Sequence, residues 1–150
     1  MAVGEFSGSN SGAISAQVGA NALTTGDIVI NGVPVGPSQA SFDTASSANQ
    51  DASAISKAEA INKVSDRTGV TAEVNKTISN GGAISVAAET GNVTINGVQI
   101  NISYSASDSV TDIQNTVISA INNKAGQSGV SAEAFGATFR LIAEDGRNID

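Results

Sequence analysis

One phrase, Ile-Asn-Gly-Val, occurs twice in this chain, at 30–33 and at 95–98. Around the two copies, further phrases recur in the same order, which chance explains poorly. Gly-Ala-Ile-Ser comes before the repeated phrase, Ala-Ile-Asn follows it, and Gly-Val-(Thr/Ser)-Ala-Glu comes last. The sequence therefore contains an internal repeat. We assign 1–78 to the first unit and 79–150 to the second, with one continuous domain as the alternative.

The Asn-Gly pair inside each copy predicts a tight hairpin turn. Asn and Gly both tolerate positive φ, and apolar residues flank the pair on both sides. The return arm 98–104 alternates apolar with polar residues, so one of its faces should be buried. The strand residues that we expect to be buried are Ile28, Ile30, Val93, Ile95 and Ile102.

A helix is predicted after each hairpin. In the second unit Ser109 and Asp112 resemble a capping box with Asp in place of Glu, and Gly126 can end the helix. The apolar stripe of this helix consists of Val110, Ile113, Val117 and Ile121. The broader apolar face of the first helix consists of Ala54, Ile55, Ala58, Ile61 and Val64.

Strands are also predicted at both Gly-Ala-Ile-Ser phrases, after Gly69 and Gly129, and at 138–143. The resulting fold class is α+β, with two repeated β-hairpin, helix and strand units. In each unit, the helix should pack on a mostly antiparallel sheet.

The amino-acid composition argues against several functions. The formal net charge is −7 and the isoelectric point is about 4.3, so the chain should repel a phosphate backbone, and nucleic acid is not an expected partner. No apolar stretch reaches the roughly 18 residues of a membrane span, so no membrane association is expected.

The sequence contains few residues that could serve in catalysis. The chain has no Cys and no His, which removes thiol catalysis and the commonest general base and metal ligand. The carboxylates stand beside Gly, Ser or helix starts, where turns and caps account for them. We therefore expect no enzyme, no catalytic residue, no cofactor and no metal site.

Two surface features leave other interpretations open. A glycan-binding or adhesive module would use an exposed aromatic ring, and Phe42 and Tyr104 are candidates, whereas Phe135 and Phe139 should be in the core. The loop Gly36–Gln50 has no counterpart of equal length in the second unit. We expect it to be a solvated connector, with antigenic variation or O-linked modification as the alternative.

The phrases GDIVINGV and AINKVSDRTGVTAE, and then GNVTINGVQI and AINNKAGQSGVSAE, resemble the flagellin hook IN motif in two successive copies. This motif is found in the central variable region of bacterial flagellins and in filament-cap and hook-associated proteins. The closing LIAEDGRNI resembles the segment by which flagellins return to their conserved rod, which favours a flagellin. The motif turns are Asn31, Gly32, Asn96 and Gly97, and the motif helix residues are Ala60, Ile61, Asn62, Ala120, Ile121 and Asn122.

The resemblance implies a structural, outward-facing domain of an exported filament subunit. Export would use the leaderless flagellar route, and the location would be the extracellular flagellum. Contacts with other flagellin subunits would use regions outside this sequence, and the chain alone would be a monomer. A filament-cap or hook-associated protein and a glycan-binding module remain the alternatives.

Overall fold

The computed structural model describes residues 19–86 and 89–150, with the side chain of Glu89 excepted. The predicted strand at 12–15 lies outside these residues. The described part is an α+β fold with mostly antiparallel sheets, as the sequence predicts. Its first half contains β1 (Val29–Ile30), β2 (Val33–Pro34), α1 (Ala54–Asn62), α2 (Ser65–Thr68) and β3 (Thr77–Asn80). Its second half contains β4 (Glu89–Ile95), β5 (Val98–Tyr104), α3 (Val110–Asn122), α4 (Ala125–Ser128), β6 (Ser131–Phe135) and β7 (Thr138–Ala143).

The strands form two hairpins and one three-stranded sheet, all antiparallel. β1 pairs with β2, β4 pairs with β5, and β7 lies between β3 and β6. The proposed boundary between the units, at 78/79, falls inside β3, and among the described residues this strand pairs only with β7. The two halves of the chain are therefore joined by backbone hydrogen bonds within one sheet.

Both hairpins turn at their Asn-Gly pairs with the same backbone geometry. The φ angles are 49° and 79° at Asn31 and Gly32, and 51° and 79° at Asn96 and Gly97. Positive φ at both central residues defines the turn whose twist matches that of the strands. The hairpins nevertheless differ in length, since β1 and β2 share two residue pairs and β4 and β5 share seven.

The predicted capping box at the start of α3 is confirmed. The Ser109 hydroxyl accepts the Asp112 N–H at 3.2 Å, and the Asp112 carboxylate accepts the Ser109 N–H at 3.3 Å. The predicted end at Gly126 is wrong, because α3 ends at Asn122 and Gly126 lies inside α4. The chain leaves α4 through Gly129, whose φ of 72° suits the residue that follows a helix.

The core of the second half forms where α3 packs on β5, β6 and β7. Three of the four stripe residues are buried, and Val110 is half-buried. Ile95 is buried as expected, and Ile102, Ile28 and Ile30 are half-buried. The prediction for Val93 is wrong, since its side chain is 38% exposed on β4, whose second edge has no strand partner in the described residues.

The first helix packs differently from α3. α1 contacts two short 3₁₀ turns, Ala40–Phe42 and Gln50–Ala52, in place of a sheet. Its small residues are the buried ones, and Ile61 is half-buried. The buried residues of α1 are Ser56, Ala58 and Ala60.

Two predicted strands are absent from the described residues. The predicted strand at 82–85 is irregular, and the segment after Gly69 forms no strand, whereas its counterpart after Gly129 becomes β6. Residues 71–76 pair with no neighbouring strand in the described part of the chain. A strand-like sequence forms a strand only when a partner strand lies beside it, and this segment has none there. Phe135, expected in the core, is 47% exposed.

The loop Gly36–Gln50 is not a plain solvated connector. Ser38, Asp43 and Ser46 are all buried, at 6%, 1% and 4% exposure. The Ser38 hydroxyl accepts the Leu23 N–H at 2.7 Å and donates to the Asp51 carbonyl at 2.5 Å. Short polar side chains therefore hold this loop by hydrogen bonds to the backbone.

Deleting residues 38–47 is expected to destabilise the fold, because it removes the hydrogen bonds of three buried side chains. At about 1 kcal/mol for each side chain the loss is roughly 3 kcal/mol. The melting temperature should then fall by roughly 6–12 °C, measured by circular dichroism. The control is Thr44→Ala, which changes an exposed residue of the same loop and should leave the melting temperature unchanged. An unchanged melting temperature in the deletion variant would restore the connector interpretation.

Candidate functional site: the repeated asparagine clamps

The Asn of each Ala-Ile-Asn triplet binds the backbone of the segment ten residues further on. Asn62 donates to the Ala72 carbonyl at 3.0 Å and accepts the Ala72 N–H at 2.8 Å. Asn122 makes the same pair of bonds with Ala132, at 2.9 and 2.7 Å. A carboxamide has both a donor and an acceptor, so it can bind the N–H and the C=O of one residue together. We call these two interactions the helix clamps.

The Asn of each hairpin turn binds the end of the short helix in its own unit. Asn31 Nδ2 donates to the Thr68 carbonyl at 2.8 Å, and Asn96 Nδ2 donates to the Ser128 carbonyl at 2.9 Å. These carbonyls stand at a helix end, where no further turn supplies an N–H. We call these two interactions the turn clamps.

Sequence reasoning missed the hydroxyl residues that stand beside the turn clamps. Thr68 and Ser128 are both buried, and each hydroxyl accepts the N–H two residues later at 3.2 Å. The signal was present, because each residue immediately precedes the repeated Gly-Val. A small hydroxyl residue in that position holds the chain as it leaves the helix.

The remaining motif residues have packing roles that differ between the two units. Ile121 is 2% exposed on α3, whereas its counterpart Ile61 is half-buried. Ala60 is 2% exposed, whereas Ala120 is half-buried. The same triplet therefore presents different side chains to the core, because α3 packs on strands and α1 packs on the 3₁₀ turns.

The last four residues connect the two halves, which the sequence did not indicate. The Asn148 N–H donates to the Ser46 hydroxyl at 2.9 Å, and its side chain donates to the Ala48 carbonyl at 3.0 Å. The Asp150 N–H donates to Asn96 Oδ1 at 2.9 Å, and the Asn96 N–H donates back to the Asp150 carbonyl at 2.8 Å. The C-terminal segment thus contacts both the Gly36–Gln50 loop and the second hairpin turn.

Arg147 adds an ion pair to this region. Its guanidinium binds the Asp145 carboxylate, with Nη2 2.6 Å from Oδ2 and Nε 2.9 Å from the same oxygen. Hydrogen bonding to Arg147 holds the pKa of Asp145 below its ordinary value. The same bond raises the pKa of Arg147, and the charge of Asp43 contributes to that increase.

Asp43 is the single carboxylate of the loop, and it is buried. Burial by itself raises its pKa, but the hydroxyls of Ser46 and Ser53 and the N–H groups of Ser46 and Ala45 lower it more, so the pKa lies below 3.8. Oδ1 accepts the two N–H groups at 2.8 and 2.9 Å. Oδ2 accepts no hydrogen bond within the described residues.

Two grooves lie beside the clamps. The first, of about 430 Å³, runs between β4 and β7 and is mostly apolar, with Tyr104 and Phe139 among its lining residues. The second, of about 760 Å³, lies between α1 and residues 72–78 and is lined by small residues together with Ile61, Lys57 and Glu73.

The two rings considered for glycan binding, and Phe135 as well, have protein partners. Lys63 Nζ lies 4.6 Å from the centroid of the Phe42 ring, and the Arg140 guanidinium lies 5.3 Å from that of Phe135. Tyr104 is half-buried and packs against the core of the second half. Of the two rings proposed for a glycan, Phe42 is therefore covered in part by a cation and Tyr104 by the core.

Within residues 19–86 and 89–150, no group of three or more acidic side chains is placed to hold a metal ion. None of the helices in this part of the chain has the length and hydrophobicity needed to cross a bilayer. Compared with models of protein families, with curated protein sequences and with solved structures, the chain gives no match in any of the three. Its function is therefore inferred from the clamps and the repeat.

Removing a helix clamp should destabilise the protein, and more so in the second unit. Asn122→Ala leaves the N–H and C=O of Ala132 without their side-chain partners at a residue only 5% exposed. The free energy of unfolding should fall by about 2–4 kcal/mol. Asn62→Ala should cost less, since Ala72 is half-buried and water can replace the bonds. Urea denaturation measures both, with exposed Asn123→Ala as the control. Equal effects of Asn122→Ala and Asn123→Ala would refute the clamp.

The free energy of unfolding should decrease in acid because Asp43 becomes protonated. Its pKa in the folded protein lies below the ordinary value of 3.8, so the unfolded state binds the proton more readily. The resulting stabilisation is present above about pH 4 and is lost as the pH falls through the folded pKa. Asp43→Asn should lower stability at neutral pH and flatten the decline below pH ~4, in urea denaturation at a series of pH values. The prediction is wrong if the free energy of unfolding of Asp43→Asn declines below pH ~4 as steeply as that of the parent protein.

Proposed function

We propose that this chain is the outward-facing variable domain of a bacterial flagellar filament subunit, a flagellin. Its function is structural, in the surface of an extracellular motility filament, and it is not an enzyme. The observation that supports this most directly is the repeated motif and its repeated bonds. The Ile-Asn-Gly turn, the Ala-Ile-Asn helix and the Gly-Val segment recur in one order, and both Asn residues make equivalent hydrogen bonds in each copy.

The hydrogen-bond partners of the motif Asn side chains favour a structural role. Each of the four Asn side chains binds backbone of its own unit, so the polar groups of the motif are used to hold a helix and a turn in place. Groups that bind a ligand or react with it need free polar atoms that converge on one point. A module stabilised in this way can be duplicated, because each copy contains its own supports.

The surface chemistry fits a protein displayed at high density. With a net charge of −7, neighbouring copies repel one another, which keeps a crowded filament surface hydrated. For the same reason the chain alone should sediment as a monomer. Contacts with other filament subunits are assigned to regions outside this sequence.

Thiol labelling of the full-length protein on intact cells tests this proposal. These 150 residues contain no Cys, so an introduced Cys adds one labelling position here, and the parent protein labelled in parallel gives the background. Thr44→Cys places it at an exposed position, and Val130→Cys places it at a residue that is 0% exposed. A membrane-impermeant fluorescent maleimide should label Thr44→Cys along the entire filament and should leave Val130→Cys unlabelled.

The position of the label separates the alternatives. A single spot at the filament tip would indicate a cap protein, and a spot at the filament base would indicate a hook-associated protein. Label on the cell surface without filaments would contradict all three flagellar assignments. A glycan array would then test the adhesive interpretation, with Tyr104→Ala compared against the parent.

A further inference from the structure

Three Asn-Gly pairs occur in this chain, at Asn31, Asn80 and Asn96. Asn-Gly is the dipeptide at which a side chain and the following backbone nitrogen most easily react, because Gly has no Cβ to hinder the approach. Two of the pairs lie in the identical sequence Ile-Asn-Gly-Val, so their intrinsic reactivities are equal. A difference between these two in the native protein must therefore come from the fold.

The reaction requires only water. The backbone nitrogen of the Gly attacks Cγ of the Asn side chain and loses its proton to a base, while Nδ2 leaves as ammonia, and a cyclic succinimide forms. Water then opens the ring at either carbonyl, giving Asp or isoaspartate. The attack requires Asn Cγ to rotate toward the nitrogen and the turn to open, so bonds to the Asn and to the turn slow it.

The structure restrains two of the three pairs. Asn96 makes three hydrogen bonds, from Nδ2 to Ser128 and through its N–H and Oδ1 to Asp150. At Asn80 the attacking nitrogen is engaged, since the Gly81 N–H donates to the Phe139 carbonyl at 2.8 Å. The Phe139 ring also lies against Gly81.

Asn31 has fewer restraints. Its Nδ2 donates to the Thr68 carbonyl, but within the described residues nothing donates to its Oδ1. The Gly32 N–H makes no hydrogen bond in this part of the chain, and neither does its counterpart at Gly97, so the difference lies in the bonds of the Asn. Both residues are exposed, and the hairpin that they close has two residue pairs in place of seven. A hairpin this short opens more readily than a long one.

We propose that Asn31 is a site of spontaneous deamidation through a succinimide, and that the fold protects Asn96 and Asn80 from the same reaction. The product carboxylate at position 31 has no N–H to donate to the Thr68 carbonyl. Deamidation therefore breaks the first turn clamp and adds one negative charge beside the end of α2. This inference is independent of the flagellar assignment.

The test is incubation of the folded protein at mildly alkaline pH, with peptide mapping by mass spectrometry at successive times. Asn31 should deamidate at least about tenfold faster than Asn96, since among residues 19–86 and 89–150 the two bonds to Asp150 have no counterpart at Asn31. In a concentrated denaturant, Asn31 and Asn96 should react at equal rates. Asp150→Pro removes the N–H that binds Asn96 Oδ1, so it should accelerate Asn96 and leave Asn31 unchanged.

Two outcomes would overturn the proposal. One is equal rates at Asn31 and Asn96 in the native protein, and the other is a faster reaction at Asn80 than at Asn31. Circular dichroism of Asp150→Pro before incubation separates local release of Asn96 from general unfolding. If that variant is unfolded, Asn31 should accelerate as well, and the comparison of native and denatured parent protein still decides the question.

Discussion

The carboxamide of Asn122, bound to both the N–H and the C=O of Ala132, is the interaction on which the second half of the fold depends. It fixes the end of α3 against the start of β6, and so sets the position from which β7 and the three-stranded sheet follow. The turn clamp from Asn96 holds the hairpin to the same connection from its other side. Two Asn side chains thus join the β4–β5 hairpin, the end of α3 and the start of β6.

The first half contains the same clamps, but the elements that surround them are different. Asn62 forms hydrogen bonds with Ala72, and Asn31 forms one with Thr68. The segment after Gly69 nevertheless forms no strand, and the first hairpin is short. The Gly36–Gln50 loop and the 3₁₀ turn that follows it supply the missing packing surface, because both 3₁₀ turns lie against α1 and the buried Ser and Asp side chains of the loop bind backbone. The helix of the repeated sequence therefore packs against a sheet in the second copy and against a loop in the first.

The turn and capping residues were predictable because their chemistry is local. Asn-Gly requires positive φ at both positions, and Ser109 with Asp112 satisfies the first N–H groups of α3 without help from distant residues. The partners of the Asn clamps were not predictable. The motif shows that Asn62 and Asn122 recur, but their backbone partners ten residues on appear only when the chain has turned back on the helix.

The sequence by itself determined the repeat, the two hairpin turns, the amphipathic α3 and the α+β class, since each depends on residues that are close along the chain. Tertiary structure decided that Val93 is partly exposed, that Asp43 is buried, and that the C-terminal segment binds both the loop and the second turn. Burial depends on which elements become neighbours. Asn148 and Ser46 are separated by 102 positions, and no local pattern records such a contact.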